Sequence, residues 1–211
     1  MWSANLTKLA DDTARVDPFA DILHIDVADG HFAPAMLFFP DLVAAIRKIS
    51  TKPIHVHLMV ADNILLSQID QFCDAGSDLI SIHVENGAVV DEALDLLQKR
   101  DVAAGMVLKV ETPVEAAQRF IPRLRFLTLL GTAIGVKGQG LDENATKRLG
   151  AAKQLIAQSG AKHRIILAAD GGIREHTVPL LRGAGAETVV LGSLAFGAAD
   201  LGKRMNWLRG L

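Results

Sequence analysis

The chain has 211 residues, a length that suits one large domain or two small ones. Half of its residues are hydrophobic and 22% are charged, which excludes a disordered chain and supplies enough apolar material for a sizeable core. The formal net charge of -2 gives no indication of the basic surface that attracts nucleic acid or anionic lipid.

Other bulk features indicate a cytoplasmic location. The single cysteine, Cys73, excludes an intrachain disulfide framework and fits a reducing compartment. The sequence has no apolar run of about 18 residues, the length of a transmembrane helix, and its first residues lack the regions of a signal peptide. We therefore expect a cytoplasmic protein that binds neither nucleic acid nor membrane.

Short apolar segments alternate with longer helical patterns along the chain. Strands are predicted over residues 22–27, 54–60, 79–84, 104–110, 126–131, 164–169 and 188–192. Helices are predicted over residues 6–16, 41–49, 63–75, 89–99, 143–159 and 175–183, and at the C-terminus. A further helix is expected to start at Thr112-Pro113, which stand in the order of an N-cap and a first helical residue.

This alternation predicts a parallel sheet with helices outside it. Eight strand–helix units close into a TIM (β/α)8 barrel, whereas seven or fewer favour an open doubly wound sheet. Because the first helix has no strand before it, we interpret residues 1–3 as the end of an eighth strand whose start is missing. We favour the α/β TIM barrel, with a truncated first strand, and expect one domain over residues 1–211 because no linker divides the chain.

Histidine and aspartate occur at positions where buried strands normally carry apolar residues. His24 and Asp26 lie two residues apart and so share one face of a strand, and His57 and Asp170 lie near the ends of two other strands. Such groups are costly to bury unless they are paired or bound to a metal. Two imidazoles and two carboxylates suit one divalent ion of the Zn, Fe, Mn or Co kind, although a hydrogen-bonded core network is the alternative.

Glycine-rich loops form a second signal, after the strands predicted over 126–131, 164–169 and 188–192. Barrels often bind phosphate through backbone N–H groups at such loops, and glycine lets the backbone approach the anion closely. Ordinary turn chemistry explains any one of the glycines alone. The candidate phosphate-binding residues are Gly135, Lys137, Gly138, Gly171, Gly172, Gly192 and Ser193.

Five segments, in order, resemble the motifs of the ribulose-phosphate 3-epimerase family. That family's HxDxMDGxFxP segment is matched by residues 24–34 (HIDVADGHFAP), and its VHLMV strand by residues 56–60. Its single AGAD…HxE segment is matched by residues 75–85, with AGSD at 75–78 and HVE at 83–85. Its VDGGI and VxGSxxF motifs are matched by residues 169–173 (ADGGI) and 190–196 (VLGSLAF). Each motif alone is modest, but five in sequence make a strong resemblance.

The resemblance implies a TIM barrel and a metal-dependent inversion at C3 of a ketose phosphate. The leading reaction is the interconversion of D-ribulose 5-phosphate and D-xylulose 5-phosphate, in the pentose phosphate pathway, by a homo-oligomer. By motif position, His24, Asp26, His57 and Asp170 match the metal ligands, and Asp26 and Asp170 also match the acid/base pair. His57 and Met59 match substrate contacts, and the methionine packs over the enediolate, although a core methionine is the simpler interpretation.

Departures from the family pattern leave the substrate open. The family's serine in a PSIL-like strand falls upstream of Met1, Ala28 replaces a methionine, and His55 stands where an aspartate is frequent. The family's MxVxPGFGGQ loop is represented by residues 130–139 (LGTAIGVKGQ), in which Leu130 replaces the methionine. Allulose 6-phosphate or a tetrulose phosphate are therefore alternative substrates.

Two other functional classes fit the residues less well. A decarboxylase of the DxKxxD type needs a lysine that is absent after Asp26, and Lys109 is the sole inward candidate for a Schiff-base aldolase. A non-catalytic sugar-phosphate-binding barrel has no need for two opposed carboxylates around a metal. We therefore predict a metal-dependent epimerase.

Overall fold

A computed structural model describes residues 1–211. The strands are β1 (Leu23–Asp29), β2 (Met36–Leu37), β3 (Ile54–Met59), β4 (Leu79–His83), β5 (Ala103–Leu108), β6 (Phe126–Leu130), β7 (Ile166–Asp170) and β8 (Thr188–Val189). The α-helices are α1 (Leu9–Val16), α2 (Pro40–Arg47), α3 (Asp62–Asp74), α4 (Val90–Lys99), α5 (Ala145–Gln158), α6 (Val178–Gly183), α7 (Ser193–Phe196) and α8 (Leu201–Arg209). Single 3-10 segments cover Leu6–Lys8, Val84–Val89, Val114–Ala117 and Ile121–Arg123.

The strands form one sheet in the order β2-β1-β3-β4-β5-β6-β7-β8, and all pairs are parallel except that of β1 with β2. The two ends of the strand order approach each other: Asp170 on β7 lies 3.8 Å from His24 on β1. The sheet is therefore strongly curled. Helices cover its outer face. The predicted TIM-barrel architecture is confirmed.

The outer core explains why the strands are continuous apolar runs. On β3, Ile54, Val56 and Leu58 are fully buried in the main hydrophobic cluster, together with Leu65 and Phe72 of α3. Burying each such side chain contributes about 1.5–3 kcal/mol. The alternate residues of the same strand point into the barrel, which places His55, His57 and Met59 on the inner face.

The barrel has an open seam between β8 and β1, which share no backbone pairing. Residues 1–3 do not form a strand at this seam, so our interpretation of them as the end of an eighth strand is wrong. They form a turn instead, in which the Ala4 N–H donates to the Met1 carbonyl at 3.0 Å. Met1 is buried against β1, and its amine donates to the His24 carbonyl. An apolar cavity of about 290 Å³ lies along the seam.

Three other element predictions need correction. The helix expected from Thr112-Pro113 is replaced by the two 3-10 turns, since Pro122 has no N–H and cannot continue a helix. The strand expected over 188–192 is paired only at Thr188–Val189, and Gly192 ends the segment with a positive φ of 50°. The short antiparallel β2 was not predicted. No helix in the structure combines the length and the apolarity needed to cross a bilayer.

Candidate active site

Four of the predicted residues meet on the inner face of the curled sheet, and of these only Asp170 is the last residue of its strand. His24 and Asp26 are on β1, His57 is on β3 and Asp170 ends β7. The Asp26 Oδ1 atom lies 3.2 Å from His24 Nε2 and 3.4 Å from His57 Nδ1, and Asp170 Oδ2 lies 3.8 Å from each of the same two nitrogens. One donor atom from each residue therefore lies within 4.8 Å of all the others.

This donor set fits a divalent transition metal. Ligands at about 2.0–2.2 Å from one ion lie about 3–4 Å from one another, and the four nitrogen–oxygen distances of this cluster, 3.2–3.8 Å, fall in that range. The His57 Nδ1 atom is buried and has no hydrogen-bond partner in the protein, so its position is explained if it faces an ion. Imidazole nitrogen and carboxylate oxygen suit Zn, Fe, Mn or Co, and the geometry does not choose among them.

The environment drives the pKa values of the two carboxyl groups apart. Burial raises the pKa of Asp26, but the charge of His24, the hydrogen bond from His24 and the nearby His57 ring outweigh it, so the pKa lies well below its ordinary value. Burial and the neighbouring Asp26 charge raise the pKa of Asp170. Two carboxyl groups with opposed shifts are the arrangement that separates a base from an acid in one site.

His24 and His57 each contact a further histidine on the side away from Asp26 and Asp170. His57 Nε2 lies 2.8 Å from His83 Nε2, and His83 Nδ1 lies 2.9 Å from Glu85 Oε2. Burial lowers the pKa of His83 to about 4, and although burial raises the pKa of Glu85, hydrogen bonds from His83 and Thr112 outweigh it and lower that pKa to about 2. The Glu85 carboxylate is therefore ionised beside a neutral imidazole at neutral pH.

The second pair involves His55, the residue that departs from the family pattern. His24 Nδ1 lies 3.1 Å from His55 Nδ1, and His55 Nε2 lies 2.7 Å from Ser81 Oγ. Burial, together with the charges of His24 and His57, lowers the pKa of His55 well below its ordinary value. His24 is therefore supported by two neutral groups, the His55 imidazole and the Ser81 hydroxyl.

The glycine-rich loops surround a cavity of about 300 Å³ that is also lined by three of the four clustered residues, Asp26, His57 and Asp170. Its lining contains every residue predicted for phosphate or substrate binding: His57, Met59, Gly135, Lys137, Gly138, Gly171, Gly172, Gly192 and Ser193. Asp26 and Asp170 form part of its floor. The loops crowd closely, since a Cβ on Gly172, which has a φ of +70°, would lie 2.8 Å from the Leu141 backbone.

Two cationic side chains contribute to this lining. The Lys137 ammonium donates to the Trp2 carbonyl at 2.7 Å and lies 4.7 Å from the centre of the Trp2 ring. Arg174 also lines the cavity and was missed by the sequence analysis. Its signal was available, because a cation directly follows the glycine-rich segment 171–173.

Comparison with known proteins identifies the family of the chain. The model of the ribulose-phosphate 3-epimerase family matches residues 1–196. The chain belongs to this family. Ribulose-phosphate 3-epimerase of Bacillus subtilis (strain 168) is 32% identical over 209 residues, which cover 99% of this chain and 95% of that protein. The Escherichia coli (strain K12) ribulose-phosphate 3-epimerase is 31% identical, with 98% and 91% coverage.

Solved structures show the same fold at lower identity. The crystal structure of 3-hexulose-6-phosphate synthase superposes with a TM-score of 0.72 at 21% identity and covers 99% of this chain and 96% of its own. Orotidine 5'-phosphate decarboxylase from Pyrococcus horikoshii OT3 has a TM-score of 0.64 at 13% identity, with 94% and 90% coverage. Membership of the ribulose-phosphate 3-epimerase family makes the protein an enzyme, an isomerase of the epimerase type.

Proposed function

We propose that the protein inverts C3 of a ketose phosphate by proton transfer between Asp26 and Asp170. The observation that carries this proposal is the meeting of buried Asp26 and half-buried Asp170 with the imidazoles of His24 and His57, in a cluster of which Asp26, His57 and Asp170 line the glycine-rich cavity. The preferred substrate pair is D-ribulose 5-phosphate and D-xylulose 5-phosphate, which is the reaction that the family's name describes.

The carboxyl groups have complementary roles in this mechanism. Asp26, whose pKa is low, removes the C3 proton as its carboxylate, and Asp170, whose pKa is raised, returns a proton to the opposite face. In the reverse direction the two exchange roles. A divalent metal ion held by His24, Asp26, His57 and Asp170 would supply stabilisation of negative charge on the substrate oxygens.

The cavity above the carboxyl groups is proposed to hold the substrate and its phosphate. Backbone N–H groups at Gly171, Gly172 and Gly192 can approach an anion closely because those residues have no side chain. Lys137 adds a positive charge, and Met59 shields the reacting carbon from water with its apolar chain. We further propose a single domain, a cytoplasmic location and a homo-oligomer.

Hydrogen exchange at C3 tests the division of labour between the two carboxyl groups. In D2O the wild type is expected to exchange C3 hydrogen and to invert the centre with either epimer. Asp26→Asn and Asp170→Asn should each lose inversion by at least about a hundredfold, the scale of general acid–base catalysis. Each variant should still exchange the C3 hydrogen slowly, but with only one of the two epimers as substrate. The epimer that Asp26→Asn still exchanges should be the one that Asp170→Asn does not.

Two controls accompany this experiment. Asp95→Asn removes an exposed carboxylate that pairs with Arg123 on the protein surface and should leave both rates unchanged. The metal content of each variant is measured, so that loss of metal is distinguished from loss of a proton carrier. Inversion that survives either active-site substitution contradicts the two-carboxyl mechanism, and full activity after chelation contradicts the metal requirement.

A substrate panel tests the choice of ketose phosphate. Leu130 and Lys137, which replace family residues in this loop, line the cavity. The activities on ketose phosphates with four, five and six carbons should therefore be compared. If allulose 6-phosphate or a tetrulose phosphate has a higher kcat/KM than ribulose 5-phosphate, the proposed substrate is wrong and the reaction class stands. Tight binding without C3 exchange of any sugar favours a non-catalytic binding protein.

A further inference from the structure

The two ligand histidines are held by hydrogen-bond chains that end in different chemical groups. We propose that Glu85 and His83 are positioning residues that fix His57 in the tautomer whose bare Nδ1 faces the metal site. This inference rests on the proposed function, because it assigns His57 as a ligand. Neither Glu85 nor His83 touches the substrate cavity.

The direction of the chain follows from its terminal group. An ionised carboxylate can only accept, so Glu85 Oε2, 2.9 Å away, requires a proton on His83 Nδ1. The neutral His83 ring then carries a lone pair on Nε2, which accepts from His57 Nε2–H at 2.8 Å. The remaining nitrogen of His57, Nδ1, is left with a lone pair.

That lone pair is on the atom that the rest of the structure leaves unpartnered. His57 Nδ1 is buried, makes no hydrogen bond and lies 3.4 Å from Asp26 Oδ1. A proton on Nδ1 would occupy the position where a metal ion binds. The tautomer therefore decides whether His57 can serve as a ligand at all.

Glu85 is itself held in a fixed orientation. Its Oε1 atom accepts the backbone N–H of Lys109 at 2.9 Å and the hydroxyl of Thr112. The chain behind His24 differs, since it runs through His55 to the Ser81 hydroxyl, which can donate or accept. Only the chain behind His57 ends in a group that imposes one direction.

Glu85→Gln is expected to reverse the chain with little change in shape. The Lys109 N–H cannot move, so it keeps the amide oxygen on its side and turns the amide NH2 toward His83 Nδ1. His83 must then accept at Nδ1 and donate from Nε2, and His57 must accept at Nε2 and carry its proton on Nδ1. The variant should bind Zn2+ about 10–100-fold more weakly, the range found for residues behind metal ligands.

The test combines histidine-ring 15N NMR with Zn2+ affinity from chelator competition, both on the full chain. In the wild type without metal, we expect His57 protonated at Nε2 and His83 at Nδ1, and in Glu85→Gln the opposite pair. Glu187→Gln is the matched control, because Glu187 also accepts a backbone N–H, that of Leu167 at 3.2 Å, but contacts no histidine. It should leave both tautomers and Zn2+ affinity unchanged.

Three results would overturn the proposal: a wild-type His57 protonated at Nδ1, unchanged tautomers in Glu85→Gln, or unchanged Zn2+ affinity in that variant. If Glu85→Gln does not fold, the wild-type tautomers alone decide. A wild type with the expected tautomers that binds no Zn2+ supports the chain and contradicts the proposed metal requirement. The two failures are thus distinguishable.

Discussion

A methyl group added at Gly105 should disturb the hydrogen bonds that run from His24 through His55 to Ser81. Gly105 on β5 is the cross-strand partner of Ser81 on β4, and both face the barrel interior. A Cβ at Gly105 would lie 1.9 Å from Ser81 Oγ and 3.0 Å from Ser81 Cβ. Its backbone does not have a positive φ, so alanine is tolerated by the chain itself and the cost comes from this contact.

The expected cost has two parts. Ser81 Oγ must rotate away from His55 Nε2, which leaves a buried polar group without its partner and costs about 1–3 kcal/mol. Overpacking against the fully buried Ser81 adds a cost of similar size, about 1–3 kcal/mol. We therefore expect Gly105→Ala to lower the free energy of unfolding by about 2–6 kcal/mol.

A double-mutant cycle with Ser81→Ala isolates this contact. Ser81→Ala alone should cost about 1–3 kcal/mol, and adding Gly105→Ala to it should cost much less than in the wild type, because the clashing hydroxyl is absent. The assay is urea unfolding with chelator present, so that metal binding does not contribute. If the two single costs add to within about 0.5 kcal/mol, the reasoning is wrong.

Three further predictions follow from single contacts. Burial raises the pKa of Asp29, but hydrogen bonds from the backbone N–H groups of Ala61 and two other residues outweigh burial and lower the pKa. The ionised Asp29 side chain therefore stabilises the folded state above about pH 4, and this contribution is lost as the pH falls. Asp29→Asn should therefore cost about 1 kcal/mol at pH 7 and flatten the decline of unfolding free energy between pH 5 and about pH 3, as measured by urea titration. Gly172→Ala should destabilise by at least about 1–2 kcal/mol, because of its positive φ and the contact with Leu141; a variant as stable as the wild type contradicts this. Lys137→Met should raise KM for ribulose 5-phosphate about tenfold with little change in kcat, since it removes binding common to ground and transition states; an unchanged KM contradicts its phosphate role.

Much of the architecture was predictable because local patterns and tertiary burial agree. The continuous apolar run with inward histidines on β3 identified both the strand and its inner face, and the observed strand differs from the prediction by one residue at its end. His24, Asp26, His57 and Asp170 could be grouped because functional side chains of such barrels gather toward one end of the strands, although only Asp170 is the last residue of its strand in the structure. Their roles remain proposals, although the structure does bring them together.

What the sequence could not predict depends on register and on long-range contacts. Cross-strand register pairs His57 with Ser81, yet the side chains connect His57 with His83 and His55 with Ser81. Such a diagonal cannot be derived from spacing within one strand. Arg174 was missed for a related reason, since a cation after a glycine-rich turn is common on surfaces, and only the curled sheet shows that it lines the cavity.

The open seam between β1 and β8 would give a bound metal ion a mechanical role. Asp26 stands on one side of the seam, and Asp170 stands on β7, which is joined to that side through the backbone only by way of β3, β4, β5 and β6. An ion held by both carboxylates would cross-link the two sides directly. Amide hydrogen exchange in β8 should then slow when metal is added, because an ion that binds only the closed sheet lowers the population of locally opened states.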